Sequence, residues 1–200
     1  MYHRLVRALV SAFEPFGGDS VNASLEALRR LPHRLDGIEI FKVQLPTSFA
    51  RALSVLKEGL EQAKPELVLC LGQANTRDKF SLERIAVNVQ DARIADNDGS
   101  QPKNEPVRAG GPTAYRATLP HQQALAALHA AGIPAEISES AGTFVCNSVF
   151  YGLMDHLAHE RRNVPAGFAH LPALDKQSAE ALARGVSVVL VTAGCSAIYP

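Results

Sequence analysis

The stretch Glu66-Leu67-Val68-Leu69-Cys70-Leu71-Gly72 is apolar at every position between its two ends. A short, continuously apolar run of this kind is typical of a strand that is buried on both faces of a parallel sheet. Further β-rich runs recur along the chain, and helical patterns lie between most of them. This alternation predicts one α/β domain over residues 1–200, a three-layer sandwich whose twisted, mostly parallel (mixed) central sheet is flanked by helices.

The individual elements follow from the spacing of the apolar residues. The predicted strands span residues 5–12, 38–45, 67–71, 85–89, 164–171 and, more briefly, 133–137. The predicted helices span residues 23–30, 48–63, 121–131 and 147–160. For the last segment we favour a helix over a strand, because Leu182, Val186 and Val189 fall on one helical face. Residues 92–113 are rich in Gly, Pro, Asn and Asp and are predicted to form a long irregular loop.

Composition excludes several functional classes. The 200 residues are 46% hydrophobic, and 20 basic residues balance 20 acidic ones, which argues against a nucleic-acid or membrane-surface partner. The chain start enters an apolar strand without a signal-peptide pattern, so we expect a cytoplasmic protein. Three widely spaced cysteines suit neither a disulfide framework nor a metal site. The cysteine spacing therefore gives no indication of a metal site.

Cys146 is the strongest candidate for chemistry. It lies in Thr143-Phe144-Val145-Cys146-Asn147-Ser148, where an extended run passes into the helix predicted over residues 147–160. A thiol in or just before the first helical turn lies in the positive end of the helix dipole, which favours the thiolate. The sequence thus predicts a thiol pKa lowered toward neutrality and a nucleophilic cysteine. The alternative is a buried cysteine with a structural role only.

A cysteine nucleophile needs a base and a group that orients the base. His170 ends the strand that follows the helix of Cys146, and open α/β sheets carry their sites at such strand ends. Glu83, at the edge of an apolar strand, is the candidate orienting carboxylate. The alternatives are a His170 that only satisfies a backbone carbonyl and an exposed ion pair between Glu83 and Arg84.

Aromatic residues could also form a pocket near this site. Phe13 and Phe16 flank a Gly/Pro-rich loop after the first strand, where their rings could wall a small apolar pocket. The alternative is that both rings belong to the hydrophobic core.

Four blocks of sequence together resemble the pyrrolidone-carboxylate peptidase family, also called pyroglutamyl peptidase I. The blocks read FEPFGG followed by N-x-S, LGQ followed by R and ERIAVNVQDARIADNDGSQP, SAGTFVCNSVFYGLMDH, and AGFAHLP. They occur in the family's order and extend over roughly residues 5 to 172. The resemblance implies a cysteine exopeptidase that hydrolyses an N-terminal pyroglutamyl residue from peptides through a thioester acyl-enzyme.

The same resemblance assigns roles to individual residues. It implies Cys146 as nucleophile, His170 as general base and acid, Glu83 as the orienting carboxylate and Arg93 as oxyanion support. It implies a substrate pocket built from Phe13, Phe16, Asn22, Thr47, Gln73, Ile94, Phe144 and Val145. It also implies a cytosolic enzyme that needs no cofactor and assembles as a homotetramer. Two alternatives stay open: another thiol amidohydrolase acting on small amides, and a non-catalytic lactam-binding homologue.

The chain departs from the family pattern at a few positions. Ala12 and the pair Asn75-Thr76 replace glycines, and Ala23 replaces a proline. Threonine tolerates a left-handed backbone poorly. We therefore expect the loop beside Gln73 to be reshaped.

Overall fold

A computed structural model describes residues 5–198, with side chains through residue 195. Residues 1–4, on which part of the N-terminal prediction falls, lie outside the described residues. The strands are β1 Val6–Phe13, β2 Arg34–Leu35, β3 Ile38–Leu45, β4 Leu67–Gln73, β5 Phe80–Glu83, β6 Ile85–Val87, β7 Ala114–Arg116, β8 Ala135–Ser138 and β9 Ala166–Leu171. The helices are α1 Ala23–Arg30, α2 Ala52–Ala63, α3 His121–Ala130, α4 Val145–His159 and α5 Ala179–Ile198.

The predicted fold class is confirmed. Within residues 5–198, seven strands form one sheet in the order β2-β3-β1-β4-β9-β5-β8, and β6 and β7 form a small second sheet. The pairs β1/β3, β1/β4, β4/β9 and β5/β8 are parallel, whereas β2/β3 and β5/β9 are antiparallel. The sheet is therefore mixed and mostly parallel, with the apolar strand β4 at its centre.

Helices cover both faces of the sheet, and each face has its own apolar core. Side chains of α1, α3 and α5 pack on one face, and side chains of α2 and α4 pack on the other. The terminal segment is helical as favoured, because Leu182, Val186 and Val189 form a stripe that is buried against the first face. Burying one stripe of each helix against an apolar sheet is the main source of stability in this arrangement.

The segment around Glu83 differs from its prediction. The strand predicted over residues 85–89 is β6, and it lies in the small sheet. Glu83 ends the separate strand β5, which enters the main sheet between β9 and β8. Arg84 is the point of departure, because its N–H donates to Ser138 O at 2.8 Å while its carbonyl accepts from Ala117 N at 3.0 Å. Two short strands joined by one residue read as a single strand in the sequence.

The start of α2 also differs from its prediction, because residues before the helix bond to the long loop instead. The predicted helix began at residue 48, but α2 begins at Ala52. Ser48 Oγ instead donates to Asp98 Oδ2 at 2.6 Å, and Phe49 N donates to Asp96 Oδ2 at 2.8 Å. Residues 92–113 contain no helix or strand, as predicted, and these bonds hold one part of that loop against the main body.

Candidate active site

Cys146 is the second residue of α4, whose N-cap position is occupied by Phe144 without a side-chain hydrogen bond. N–H groups in the first turn of a helix have no acceptor within the helix. Burial of Val145 and Val149 in the core of the second face fixes this helix end against the sheet. The sulfur therefore lies beside unpaired N–H donors that can stabilise negative charge.

Gly72 makes room for the sulfur at the end of β4. A Cβ atom at residue 72 would lie 2.9 Å from Cys146 Sγ and 2.9 Å from Phe168 Cζ. Both distances are shorter than an ordinary van der Waals contact. A larger residue at this position would displace the nucleophile, so the absence of a side chain on β4 is part of how the site is built.

His170 and Glu83 meet across two neighbouring strands. In the antiparallel pair β5/β9, Glu83 lies opposite Phe168, and His170 is two residues further along the same face. This diagonal relation brings His170 Nδ1 to 2.7 Å from Glu83 Oε1. The Glu83 side chain is fully buried and the His170 side chain is 6% exposed. His170 is also adjacent to Gly72 in the register of β4 and β9, so Cys146 and His170 flank the same glycine.

Arg77, to which neither the local pattern nor the resemblance assigns a role, contacts the same carboxylate. Arg77 Nη1 donates to Glu83 Oε1 at 2.6 Å, and Nη2 donates to Ser140 O at 2.9 Å. The alternative in which Glu83 forms an exposed pair with Arg84 is wrong, because Arg84 pairs with Glu139 at 2.5 Å and Glu83 is buried. Arg77 is the arginine of the family block that begins with LGQ, but its polar loop gives no local pattern that indicates a contact with Glu83.

The thiol pKa differs from its prediction. Burial of the sulfur and, after it, the negative charge of Glu83 disfavour the thiolate, and the pKa of Cys146 is raised to about 12. Backbone hydrogen bonding and the charge of Arg77 oppose these two effects and do not outweigh them. The resting nucleophile is thus a neutral thiol, and it must transfer its proton to a base as it attacks.

Cys70 offers a test of how burial acts on thiols in this fold. Burial raises its pKa from an ordinary value of 9.0 to about 12, with a smaller opposing effect from a hydrogen bond with Ser11. Above pH 9 the unfolded chain releases this proton while the folded protein keeps it, so the free energy of unfolding falls as the pH rises. Each such thiol contributes a slope of about 1.4 kcal/mol per pH unit in that window.

We expect Cys70→Ala to lose less stability than the unsubstituted protein between pH 8 and 10.5. The difference should be about 1 to 2 kcal/mol, measured by denaturant unfolding at each pH. Cys195→Ala is the matched control, because Cys195 is exposed and its removal should leave the pH dependence unchanged. Parallel curves for Cys70→Ala and the unsubstituted protein would contradict a buried, protonated thiol at residue 70.

A cavity of about 280 Å³ opens where β4, β9 and α4 meet. Its lining includes Cys146 and His170 together with several residues that the resemblance assigned to catalysis or binding. The lining residues are Phe16, Gln73, Asp91, Arg93, Ile94, Ala141, Thr143, Phe144, Cys146 and His170. Phe16 and Phe144 pack against each other with ring centroids 5.8 Å apart, and Ile94 is 42% exposed at the edge. The cavity therefore combines an apolar wall with the candidate nucleophile and base.

Phe13 and Val145 are not among the residues that line this cavity. Phe13 is the last residue of β1, is 2% exposed, and packs its ring against Phe168 at 6.4 Å. Val145 is 1% exposed within the same core. Both side chains are buried in the apolar core of the second face of the sheet.

Asn22 and Thr47 also lie outside the lining, and their polar groups bond to the protein itself. Asn22 Oδ1 caps α1 by accepting from Ser24 N at 2.9 Å, and its Nδ2 donates to Glu14 O. Thr47 donates from its N–H to Glu14 Oε1 and from its hydroxyl to Glu14 O, each at 3.1 Å. These bonds fix the loop that carries Phe16.

The loop beside Gln73 is not strained by its substitutions. The described non-glycine residues with positive φ are Asp36, Lys64, Asn104 and Arg161, so neither Asn75 nor Thr76 has a left-handed backbone. Asn75 Oδ1 accepts from Gln73 Nε2 at 2.6 Å. The asparagine therefore gives Gln73 a hydrogen-bond partner.

Asn147 is a second residue whose structural role the sequence pattern did not predict. Its side chain is fully buried, accepts from Val87 N at 3.0 Å, and donates to the carbonyls of Val87 and Val89 at 2.9 Å. These bonds tie the chain before Asp91 and Arg93 to the helix that carries Cys146. A polar residue on an otherwise buried helix face was the signal that could have found it.

Two further observations concern ions and membranes. Among the described side chains, no group of three or more His, Cys, Asp and Glu residues is placed to hold a metal ion. No described helix combines the length and apolar character that a membrane span requires.

Known proteins resemble this chain in sequence and in structure. Residues 6–198 match the family described as pyroglutamyl peptidase. Pyrrolidone-carboxylate peptidase of Bacillus cereus (strain Q1) is 46% identical over 171 residues, which cover 85% of this chain and 80% of the relative. The Erwinia tasmaniensis enzyme of the same name is 49% identical over 173 residues, covering 86% and 80%.

Solved structures give the same result. Pyroglutamyl peptidase I of Bacillus amyloliquefaciens superimposes with a TM-score of 0.91 at 37% identity, over 95% of this chain and 97% of that one. Pyrrolidone carboxyl peptidase of Thermococcus litoralis gives a TM-score of 0.91 at 36% identity, over 96% and 94%. With its fold and its match over residues 6–198, this chain belongs to the pyroglutamyl peptidase family of cysteine peptidases.

Proposed function

We propose that this protein hydrolyses the N-terminal pyroglutamyl residue from peptides, with Cys146 as nucleophile and His170 as general base and acid. The observation that carries the proposal is the contact between His170 Nδ1 and the buried Glu83 carboxylate at 2.7 Å. This contact occupies Nδ1 and leaves Nε2 for proton transfer in the cavity that Cys146 also lines.

The reaction follows from this arrangement. The Cys146 thiol passes its proton to His170 while its sulfur attacks the pyroglutamyl carbonyl carbon, which gives a tetrahedral oxyanion. His170 then donates that proton to the departing amine as the C–N bond breaks, and a thioester remains on Cys146. Water attacks the thioester, His170 takes the water proton and returns it to sulfur, and pyroglutamate leaves. The imidazolium formed in each half of the reaction is stabilised by the Glu83 carboxylate.

Two groups are suited to stabilise the oxyanion. The first-turn N–H groups of α4 lack intrahelical partners and lie next to the sulfur. Arg93 lines the same cavity and brings a positive charge to it. Both groups interact more strongly with the carbonyl oxygen as negative charge develops on it. An interaction that is stronger in the transition state than in the bound substrate lowers the activation barrier.

The pocket fits a small, uncharged ring. Phe16, Ile94 and Phe144 supply apolar contact to a lactam, whereas a free ammonium or carboxylate placed against these three side chains would lose water without gaining a polar partner from them. The amide of Gln73 is held in one orientation, because Oε1 accepts from Ala23 N at 2.5 Å and Nε2 donates to Asn75. Its remaining N–H and lone pair are suited to read the polar edge of the lactam.

One assay tests the function directly. The protein is incubated with a fluorogenic pyroglutamyl amide, with glutamine, and with unblocked amino-acid amides, and the release of fluorophore or ammonia is measured. We expect turnover of the pyroglutamyl amide alone. Turnover of glutamine or of simple amides instead would indicate a different thiol amidohydrolase, and binding of pyroglutamate without turnover would indicate a non-catalytic homologue.

We expect Phe16→Ala to raise KM for the pyroglutamyl amide by about tenfold to a hundredfold. Loss of one ring from the cavity wall removes roughly 1.5 to 3 kcal/mol of apolar contact with the substrate. Phe13→Ala is the informative comparison, because that ring is in the core and its loss should cost about 3 to 5 kcal/mol of stability. A destabilised Phe16→Ala protein with unchanged KM would contradict the assignment of Phe16 to the pocket.

The resemblance to the family also supports a cytoplasmic homotetramer. The three cysteines are free, which suits a reducing compartment. Sedimentation equilibrium of the purified protein tests the assembly, and a monomeric mass across the micromolar range would refute it.

A further inference from the structure

Arg77 connects the Glu83 carboxylate with the loop that leads to Cys146. One guanidinium nitrogen donates to Glu83 Oε1 at 2.6 Å, and the other donates to the carbonyl of Ser140 at 2.9 Å. Ser140 is followed by Ala141, Thr143 and Phe144, which line the cavity immediately before Cys146. Arg77 itself is not a lining residue, so it acts through its neighbours.

The charge of Arg77 is matched to a buried carboxylate. Glu83 is fully buried, its Oε1 accepts from both Arg77 and His170, and its Oε2 has no hydrogen-bond partner among the described residues. Within the described residues, the Glu83 carboxylate forms ion-pair contacts with Arg77 and His170. While His170 is neutral, Arg77 is therefore the only positively charged partner of this carboxylate. A buried carboxylate without a cation binds a proton strongly, either itself or through its hydrogen-bonded partner.

We propose that Arg77 is a positioning residue that keeps the Glu83–His170 pair free of an extra proton and holds it in register with the loop of Cys146. The inference rests on the proposed function, because His170 can act as a base only while it is neutral. Without Arg77, the pair would carry an uncompensated negative charge and would take up a proton at higher pH. Protonation of the pair removes the base. As the pH is lowered, a protein without Arg77 would therefore lose activity at a higher pH than the unsubstituted protein.

Other titratable and charged groups face the pair and define the background for a test. The Cys146 thiol approaches from α4, and His121 Nε2 lies 3.1 Å from the backbone oxygen of Glu83 on the α3 side. Asp91 and Arg93 line the same cavity as His170. Arg84 follows Glu83 in the chain, but its side chain forms an ion pair with Glu139.

The test compares pH profiles of kcat/KM for a pyroglutamyl amide in three variants and the unsubstituted protein. In Arg77→Gln we expect the acid limb to move up by on the order of one pH unit, with kcat falling more than KM rises. Arg77→Lys keeps the charge but cannot donate in the two fixed directions of a guanidinium group. We expect its acid limb to stay near that of the unsubstituted protein while its kcat falls. Arg84→Gln is the matched control, since it removes a neighbouring arginine whose side chain pairs with Glu139.

The outcomes separate the inference from the function on which it rests. An unsubstituted protein that does not cleave the pyroglutamyl amide refutes the proposed function. An active protein whose Arg77→Gln variant keeps its acid limb, whatever its melting temperature, overturns the role of Arg77. If Arg77→Gln does not fold, Arg77→Lys decides: unchanged kcat overturns the proposal, and a lowered kcat with an unmoved acid limb supports it.

Discussion

Cys146→Ala is expected to abolish turnover of a pyroglutamyl amide while leaving the protein folded. No thioester can form without the sulfur, and in the described lining of the cavity Thr143 is the one other residue that carries a thiol or a hydroxyl. Loss of a nucleophile in enzymes of this type lowers kcat by roughly ten-thousandfold or more. The change removes one sulfur atom beside Gly72 and Phe168, so we expect a stability cost of only about 1 kcal/mol.

The measurement is the rate of fluorophore release together with a thermal unfolding curve. Cys195→Ala is the matched control, because it removes an exposed thiol from the same chain and should retain full activity. If Cys146→Ala kept more than a few per cent of the rate, another nucleophile would have to be sought, with the hydroxyl of Thr143 as the first to test.

Glu83→Gln is expected to lower kcat by tenfold to ten-thousandfold with little change in KM. The carboxylate faces His170 rather than the cavity, so its charge acts on the imidazolium formed during the reaction and hardly at all on bound substrate. A glutamine of similar shape keeps a polar group beside Nδ1 but removes the charge. It also deprives Arg77 of its partner, so we expect a lower melting temperature as well.

The kinetics are therefore measured well below the melting temperature of the variant. Glu139→Gln serves as the control, because it removes a more exposed carboxylate from the pair with Arg84. A Glu83→Gln protein that melts early yet turns over at a normal rate would show that Glu83 has a purely structural role.

Local patterns were sufficient to predict the fold class and two of the site's elements. Strand β4 is apolar along its length because it is buried on both faces, and α4 and α5 have stripes of apolar residues that pack on the sheet. The sequence predicts Cys146 as nucleophile and His170 as base because each lies where a helix or strand begins or ends. The ends of an element depend only on neighbouring residues. These features are local, so one sequence carries them.

Other features required the sheet register and the packing. Glu83 looked like the edge of one strand, but β5 leaves the main sheet at Arg84, and only the antiparallel pairing with β9 brings Glu83 to His170. The helix position of Cys146 predicted a lowered thiol pKa, whereas burial and the charge of Glu83 raise it. Desolvation depends on every atom packed around the sulfur, and no local pattern contains that information.

The sequence by itself determined most of the helices and strands, although not β2, β5 and β7, and which residue types stand at their ends. Tertiary structure alone decided that Phe13 is buried in the core while Phe16 lines the cavity, and that Arg77 contacts a buried carboxylate six residues away. The physical reason is that hydrophobic periodicity records which face of an element is buried. Hydrogen bonds, ion pairs and pKa values depend on distances between elements, and those are set only when the helices pack on the sheet.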